Sequence, residues 1–205
     1  MELYRYMPFE VFIDIVINQK LTLLSPAKWE DSYEGWFLKE LSKSEKIGEQ
    51  ISQIINSICG QCWSKNGDHI PLWSIYSYNN KSIMIKTTLQ DLEGLEGVYC
   101  REMDYSKGAE ISVDELTAFV MNPSPENMLI PFTKKRDGFI HENEYRIFAF
   151  SDCKPTIDIP IPNINEFIKG VMVHPFANDW YVDIVKSVCD RFNLPFDGKS
   201  ELYKL

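Results

Sequence analysis

The chain has 205 residues, of which 30 are acidic and 21 are basic, so its formal net charge is −9 at neutral pH. Hydrophobic residues make up 44% of the sequence and aromatic residues 13%, which excludes a disordered chain and predicts a packed interior. The acidic balance argues against a general phosphate-binding surface, although a local basic groove would still suit nucleic acid. This length predicts a single domain over residues 1–205.

The cellular location is predicted from the N-terminal segment and the cysteines. Residues 1–6 lack the basic and apolar regions of a secretory signal, and no stretch approaches the roughly 18 apolar residues of a membrane-spanning helix. The five cysteines are odd in number and scattered, which is typical of a reducing compartment. We therefore expect free thiols and a cytoplasmic protein that does not bind membranes.

Strands and helices intermix along the predicted chain. Apolar residues at helical spacing indicate helices over 8–19, 44–58 and 178–192. The remaining predicted elements are strands over 3–6, 20–24, 59–63, 82–87, 98–105, 144–150 and 170–173, a short helix over 72–76, a capped helix that begins at 112, and a loop over 122–125. Because regular βαβ spacing is lacking, we predict an α+β fold with a mixed, mainly antiparallel sheet and flanking helices.

Cys59 and Cys62 form a C-x-x-C pair, a pattern that serves redox chemistry or zinc binding. A redox pair begins a helix, whereas here a helix is predicted to end before the pair. No second pair supplies further zinc ligands, and no glycine-rich phosphate loop occurs in the sequence. We predict two buried strand cysteines and no metal site.

Glu142 and Glu144 make up the strongest catalytic candidate in the sequence. They lie at the start of a predicted strand, where residues two apart face the same side, so both carboxylates are expected in one cleft. The alternative is a solvated strand end at which Glu144 pairs with a nearby base.

Two further segments are candidates for binding. Arg5 stands between Tyr4 and Tyr6 on the first predicted strand, where a guanidinium either binds an anion through two parallel bonds or satisfies a carboxylate at the sheet edge. The segment 28–34 combines Trp29 and Tyr33 with acidic residues directly after a strand, and loops of this kind often line pockets.

Several motifs follow one another in a recognisable order. They are Tyr4-Arg5-Tyr6, Ser-Pro-x-x-Trp-x-Asp-x-x-Glu over 25–34, Cys62-Trp63-Ser64, Leu72-Trp73-Ser74-Ile75-Tyr76 and Glu142-Asn143-Glu144-Tyr145-Arg146. This order resembles a bacterial family known only as a domain of unknown function. The chain has Trp-Glu-Asp-Ser-Tyr-Glu over 29–34 where Asn-Asp-Pro is usual in that family. The resemblance implies no particular activity.

The same order also resembles the mono-ADP-ribosyltransferases of the Arg-Ser-Glu type. That resemblance implies an ADP-ribosyltransferase-like fold and NAD as co-substrate. Arg5 would hold the NAD phosphate or ribose, and Glu144 would be the catalytic glutamate, with Glu142 orienting or activating the acceptor. Ser25 would support the nicotinamide ribose. Because the usual Ser-Thr-Ser triplet is missing, Ser64 is the rival for the serine role.

The resemblance also implies aromatic residues in the NAD site. Trp29, Tyr33 or Trp73 would stack on nicotinamide or adenine, and Tyr76 belongs to the same binding set. For Trp73 the alternative is an ordinary core position.

The implied function is an NAD-dependent transferase that modifies a macromolecule, nucleic acid or protein. A bacterial toxin with an antitoxin partner, or an anti-phage defence effector, follows from the resemblance. One alternative is a non-catalytic nucleic-acid or protein interaction module that uses Lys134-Lys135-Arg136 and exposed aromatics. Another is a metal-dependent nuclease that uses Glu30, Asp31 and Glu34.

Overall fold

The computed structural model describes residues 1–29, 40, 42–45, 48–77, 79–106, 110–122 and 124–204. The chain forms two compact units. Unit 1 comprises Met1–Leu21, Trp63–Glu96 and Ile159–Leu205, and unit 2 comprises Thr22–Cys62 and Gly97–Asp158. Neither unit is a continuous stretch of sequence, and a single domain over 1–205 stays a prediction.

The described strands and helices follow one another in a mixed order, as predicted. In chain order they are β1 (Glu2–Pro8), α1 (Phe9–Asn18), β2 (Lys20–Leu24), α2 (Gly48–Ser57), β3 (Ile58–Ser64), α3 (Ile70–Tyr76), β4 (Ser82–Thr88), α4 (Leu89–Glu93), β5 (Tyr99–Glu102), β6 (Asp104–Ser106), α5 (Val113–Met121), α6 (Pro125–Leu129), β7 (Lys134–Arg136), β8 (Glu144–Phe150), β9 (Thr156–Pro160), α7 (Ile164–Phe167), β10 (Gly170–Val173), α8 (Asp179–Phe192) and β11 (Phe196–Lys199). Short 3-10 helices cover Pro26–Lys28, Ile130–Phe132 and Asp137–Glu142.

The sheet of unit 1 runs in the order β11, β10, β4, β1. β1 is antiparallel to β4 along its whole length, from Glu2 opposite Thr88 to Pro8 opposite Ser82. β10 continues this antiparallel pairing on the other side of β4, and β11 adds to β10 in parallel. α1 buries Phe12, Ile15 and Val16, which share one helical face.

Unit 2 is built around β8. β8 is antiparallel to β5 and also pairs with β3, while β2 pairs with β3 through Leu24 and Gly60. Its apolar core joins α2 and α5 to these strands, and its buried members are Ile51, Ile58, Phe119, Leu129, Phe132 and Phe148. β6 and β7 form a separate parallel pair. Mainly antiparallel pairing in both units confirms the predicted α+β class.

Two predicted elements differ from the structure. The strand predicted over 98–105 is interrupted at Met103, whose N–H donates to the Glu144 carbonyl, and the next N–H, of Asp104, already donates to Thr133. The chain therefore leaves β5 and pairs with β7 as β6. The predicted loop over 122–125 ends one residue earlier in the structure, because Pro125 is the first residue of α6 and the hydroxyl of the N-cap Ser124 accepts the N–H of Asn127.

The predicted capping box of α5 is confirmed. The Ser112 hydroxyl accepts the N–H of Glu115, and the Glu115 carboxylate accepts the N–H of Ser112. We expect Ser112→Ala to lower the free energy of unfolding by about 1 kcal/mol in urea titrations. Ser187→Ala is the control, since that hydroxyl only donates to the carbonyl of Asp183 within α8 and caps nothing. Equal losses in both variants would show that the cap does not stabilise α5.

No helix in the described part of the chain is long and apolar enough to cross a membrane.

Candidate functional site

The two glutamates at the start of β8 lie side by side in the interior of unit 2. Glu142 ends a 3-10 helix, Asn143 adopts a left-handed conformation with φ 46°, and Glu144 is the first residue of β8. The residues are 5% and 3% exposed. The predicted meeting of the carboxylates is confirmed, but its cause is different. Glu142 is not a strand residue, and the left-handed turn at Asn143 brings its side chain back toward Glu144.

Lys135 bridges the two carboxylates. Its ammonium nitrogen lies 2.9 Å from Glu142 Oε2 and 3.2 Å from Glu144 Oε1. The residue is only 5% exposed, and its ammonium also lies over the ring of Phe139, 4.8 Å from the centroid. One buried cation is therefore shared by both members of the pair.

Arg146 binds the other side of Glu144. Its Nη2 lies 2.9 Å from Glu144 Oε2, Nη1 donates to the Phe132 carbonyl at 3.1 Å, and Nε donates to Cys62 Sγ at 3.2 Å. The guanidinium is also stacked over Trp29, 4.5 Å from the ring centroid. With 1% exposure, Arg146 is fixed in place and holds Glu144 with it.

The neighbours of the two carboxyl groups move their pKa values apart. Burial is the largest influence on Glu142, followed by its hydrogen bond to Glu144 and the charge of Glu144, and together they raise the pKa of Glu142 to about 7. Burial also opposes ionisation of Glu144, but Arg146 and Lys135 outweigh it and hold the pKa of Glu144 well below its usual range. Glu144 is therefore a fixed anion, whereas Glu142 gains and loses a proton near neutral pH.

Tyr105 closes another side of the pair. Its hydroxyl accepts the backbone N–H of Glu144 at 2.8 Å. Burial, more than any other cause, raises the pKa of Tyr105 to about 12, so the phenol stays neutral beside the two carboxyls. The site thus combines one fixed anion, one titrating acid and two cations, an arrangement suited to stabilising positive charge and to moving a proton.

Trp29 belongs to this cluster through its contact with Arg146, and its predicted stacking on nicotinamide or adenine stays a prediction. Its indole N–H donates to the Leu24 carbonyl at 3.2 Å, and its ring packs edge-on against Phe132. Gly60 on β3 allows this position, because a Cβ there would lie 2.9 Å from Trp29 and 3.1 Å from Phe148. The sequence did not predict this role of Gly60, because no motif around the glycine indicates a contact with Trp29.

We expect Gly60→Ala to lower the free energy of unfolding by roughly 1–3 kcal/mol, the usual cost of overpacking an interior. The added methyl group must displace Trp29 or Phe148. Urea titrations measure the cost, and the same substitution in a Trp29→Ala background is the control, since truncating the indole removes its clash. An equal loss in both backgrounds would show that Gly60 does not position Trp29.

Ser25 also lies in unit 2, at the end of β2. It is buried, its N–H donates to the Pro155 carbonyl at 3.0 Å, and its carbonyl accepts the N–H of Lys28. Tyr33 and the acidic residues Glu30, Asp31 and Glu34 lie outside the described residues, so their predicted roles stay predictions.

The other four predicted site residues, Arg5, Ser64, Trp73 and Tyr76, lie in unit 1. Arg5 Nη1 contacts Met7 Sδ at 3.9 Å, and the Ser64 hydroxyl accepts the N–H of Asn66 at 3.0 Å. Trp73 is 1% exposed. This burial agrees with the core alternative, and the predicted stacking of Trp73 on NAD stays a prediction.

Arg5 is not brought together with the two aromatic residues of α3. Trp73 packs edge-on against Tyr6 at 4.8 Å, and the exposed Tyr76 stacks on Tyr6 at 6.4 Å. Successive side chains of a strand point to opposite faces, so Arg5 lies on the other face of β1 from Tyr6. The roles predicted for Arg5, Ser64 and Tyr76 stay predictions.

The basic run over 134–136 is not an open cationic patch. Lys134 lies 2.6 Å from Asp104 and 2.7 Å from Glu115, and Lys135 is buried between the glutamates. Both lysines are therefore paired with acids within unit 2, and the Arg136 guanidinium lies over the ring of Phe139, 5.2 Å from its centroid. An interaction module based on this run stays a prediction.

The prediction of two buried strand cysteines is confirmed for Cys59, whereas Cys62 is only half-buried. Cys59 and Cys62 lie in β3, all five cysteines are free thiols, and burial raises the pKa of Cys59. Within the described ranges, no group of three or more histidine, cysteine, aspartate or glutamate side chains is arranged to hold a metal ion.

The sequence matches no protein-family profile and no curated protein. Among solved structures, the chain is similar to Thermus sp. 2.9 DarT in complex with NAD+, with a TM-score of 0.42 and 10% identity over 95% of this chain and 93% of that one. It is similar to the same DarT in complex with ADP-ribosylated ssDNA, with a TM-score of 0.42 and 11% identity over 95% and 92%. It is also similar to the same DarT in complex with carba-NAD+, with a TM-score of 0.40 and 11% identity over 97% of this chain and 93% of that one. A likeness this distant does not identify a shared activity.

Proposed function

We propose that the protein is an NAD-dependent mono-ADP-ribosyltransferase that modifies a macromolecule, with Glu144 as its catalytic carboxylate. The observation that carries this proposal is the pair of buried glutamates in opposite protonation states. Glu144 is kept ionised by Arg146 and Lys135, and Glu142 titrates near neutral pH beside it. The motif order of the sequence, which ends in Glu-x-Glu-Tyr-Arg, supports the same assignment.

This pair suits the chemistry of ADP-ribosyl transfer. When the bond between the NAD ribose C1′ and nicotinamide breaks, its electrons leave with nicotinamide and positive charge develops on the ribose. A fixed carboxylate such as Glu144 stabilises that charge more in the transition state than in the ground state. The acceptor then bonds to C1′, and its proton passes to the ionised fraction of Glu142, which acts as a general base.

The depth of the pair sets a condition on catalysis. Because Glu144 is 3% exposed, the NAD ribose reaches its carboxylate only after neighbouring side chains move. The two Glu144 oxygens accept bonds from Lys135, Arg146 and the protonated Glu142, which leaves one of their roughly four lone pairs for a ribose hydroxyl. The substrate can therefore be held without breaking the existing ion pairs.

The experiment that tests the proposal uses the purified wild-type chain and NAD labelled in its adenylate part. We expect NAD to raise the melting temperature, because a ligand of the native state stabilises it by RT ln(1 + [L]/Kd). Nicotinamide release is measured alone and with single-stranded DNA or bacterial proteins as acceptors, and label on the acceptor shows transfer. If saturating NAD neither stabilises the chain nor yields nicotinamide with any acceptor, the proposal is wrong.

We further propose a role as a bacterial toxin or anti-phage defence effector, with an antitoxin as partner. The motif resemblance supports this role, since modification of an essential macromolecule would arrest growth. Induced expression in a bacterial host is expected to stop growth for the wild type, and Glu144→Gln at equal soluble abundance is expected to be tolerated. Equal growth of both cultures would contradict the toxin role without bearing on the transferase activity.

A further inference from the structure

Lys135 is a buried cation whose contacts are unusual for a lysine. Lysine is almost never fully buried unless it is paired, and here one ammonium contacts two carboxylates at 2.9 and 3.2 Å. The adjacent Lys134 differs, because its partners Asp104 and Glu115 are partly exposed and lie outside the glutamate pair. The two neighbouring lysines therefore make a natural comparison.

We infer that Lys135 is a positioning residue that holds Glu142 and Glu144 together and sets the pH at which Glu142 exchanges its proton. The role of Lys135 in catalysis rests on the proposed function, whereas its effect on the protonation of Glu142 does not. Without the ammonium, two buried carboxyl groups would face each other, and among the described residues the cation still in contact with the pair would be Arg146, through Glu144.

The direction of the effect follows from the charges around Glu142. Within the described part of the chain, the charged and titratable groups in contact with the pair are Lys135 from β7, Glu144 and Arg146 from β8, Tyr105 from β6 and, through Arg146, Cys62 from β3. Burial and the Glu144 charge favour protonated Glu142, and Lys135 is the group that opposes them. Removing the Lys135 charge must therefore make Glu142 hold its proton to higher pH.

The experiment compares Lys135→Met, which keeps the chain length and removes the charge, with Lys135→Arg, which keeps the charge. Lys134→Met is the matched control outside the pair. The titration of Glu142 is followed in protein carrying ¹³C at the glutamate side-chain carboxyls, and Glu142→Gln assigns the signal by its loss. An opposite charge at this distance changes a carboxyl pKa by about one unit or more.

We expect Lys135→Met to move the Glu142 midpoint upward by about one pH unit or more, and Lys135→Arg to return it toward the wild-type value. Lys134→Met should leave the midpoint in place. A Lys135→Met variant that folds with an unshifted midpoint, or an equal shift in Lys134→Met, would overturn the inference.

A second measurement needs no variant. In wild-type protein with ¹⁵N-labelled lysine side chains, the Lys135 ammonium signal should change at the same pH as the Glu142 carboxyl signal, because the two groups are in contact. No change of the ammonium signal through the Glu142 titration would overturn the inference even if Lys135→Met fails to fold.

The same variants separate this inference from the proposed function. If the protein transfers ADP-ribose, the midpoint of its pH-rate profile should move with the Glu142 carboxyl signal, upward in Lys135→Met and back in Lys135→Arg. If no variant or wild type turns over NAD while the carboxyl signal shifts as expected, the transferase proposal fails and Lys135 remains the group that sets the protonation of the pair.

Discussion

Glu144→Gln is expected to lower ADP-ribosyl transfer by about a hundredfold or more, the scale of removing one preorganised electrostatic group from a transition state. Glutamine keeps the size and hydrogen-bonding reach of the side chain but lacks the negative charge that opposes positive charge on the ribose. Affinity for NAD should change little, since the charge develops only during the reaction. Initial rates of nicotinamide release and label transfer measure the loss, and the thermal shift with NAD measures binding.

This substitution also affects stability, because Glu144 contacts two buried cations. Removing one member of a buried ion pair costs about 3–5 kcal/mol, and we expect the lower end because Glu142 can ionise in its place. For a chain of this size, 3 kcal/mol corresponds to a fall in melting temperature of roughly 6–12 °C. Rates must therefore be compared at a temperature where both proteins are folded.

Two further variants make the Glu144→Gln result interpretable. Glu115→Gln removes a carboxylate that also pairs with a lysine, at 2.7 Å from Lys134, and glutamine is accepted in the capping box. It should retain full activity. Glu144→Asp keeps the negative charge on a side chain that is one methylene shorter. We expect this variant to retain a larger share of the wild-type stability than of the wild-type transfer rate. Full transfer by Glu144→Gln would show that the Glu144 carboxylate is not catalytic, whatever its effect on stability.

The glutamate pair shows which parts of a site a sequence can predict. The spacing Glu-x-Glu before an apolar run predicted that Glu142 and Glu144 meet, but through strand alternation, whereas the left-handed turn at Asn143 brings them together. Strand alternation also places Arg146 on the same face as Glu144, so its role was available from the same spacing. The role of Lys135 was not predicted, because a lysine in a basic run is ordinarily solvated and its burial depends on contacts with Glu142, Glu144 and Phe139.

The same limit applies to the fold. Helices with a clear apolar face, such as α1 and α8, were predicted within a few residues of their bounds. β11 was missed because its four residues include Asp197 and a glycine with φ 90°, and its strand conformation depends on parallel pairing with β10. Trp73 differs from β11, because its core position was foreseen as an alternative, but its contacts with Tyr6 and its indole bond to Asp68 at 2.6 Å were not.

The pH dependence of stability provides a second large effect, and Glu142 determines its direction. The pKa of Glu142 rises from 4.5 to about 7 on folding, so between these values the native state binds more protons than the unfolded state. Its contribution is fully present below pH 4.5 and is lost as the pH rises through about 7. The loss is on the order of 3 kcal/mol, since one pKa unit is worth about 1.4 kcal/mol.

Glu144 acts in the opposite sense and in a different range. Its pKa is lowered on folding, so its contribution is present above the ordinary glutamate range and is lost as the pH falls below it. His174 in unit 1 also opposes Glu142, because burial lowers its pKa from 6.5, and its contribution is lost as the pH falls. The wild-type curve alone therefore mixes rising and falling contributions near pH 6.

The difference between wild type and Glu142→Gln isolates the carboxyl group, because His174 and Glu144 are present in both proteins. Glutamine stays neutral at every pH, as Glu142 does at low pH. The variant therefore does not lose the stability that the wild type loses when Glu142 ionises. Relative to wild type, we expect Glu142→Gln to gain on the order of 3 kcal/mol between pH 5 and pH 8 in urea titrations at constant ionic strength.

Glu115→Gln should follow the wild-type curve over the same range, since the pKa of Glu115 is lowered and it is ionised throughout. A Glu142→Gln curve parallel to wild type would mean that Glu142 does not titrate near neutral pH. The general base assigned to acceptor activation would then have to be sought elsewhere in unit 2.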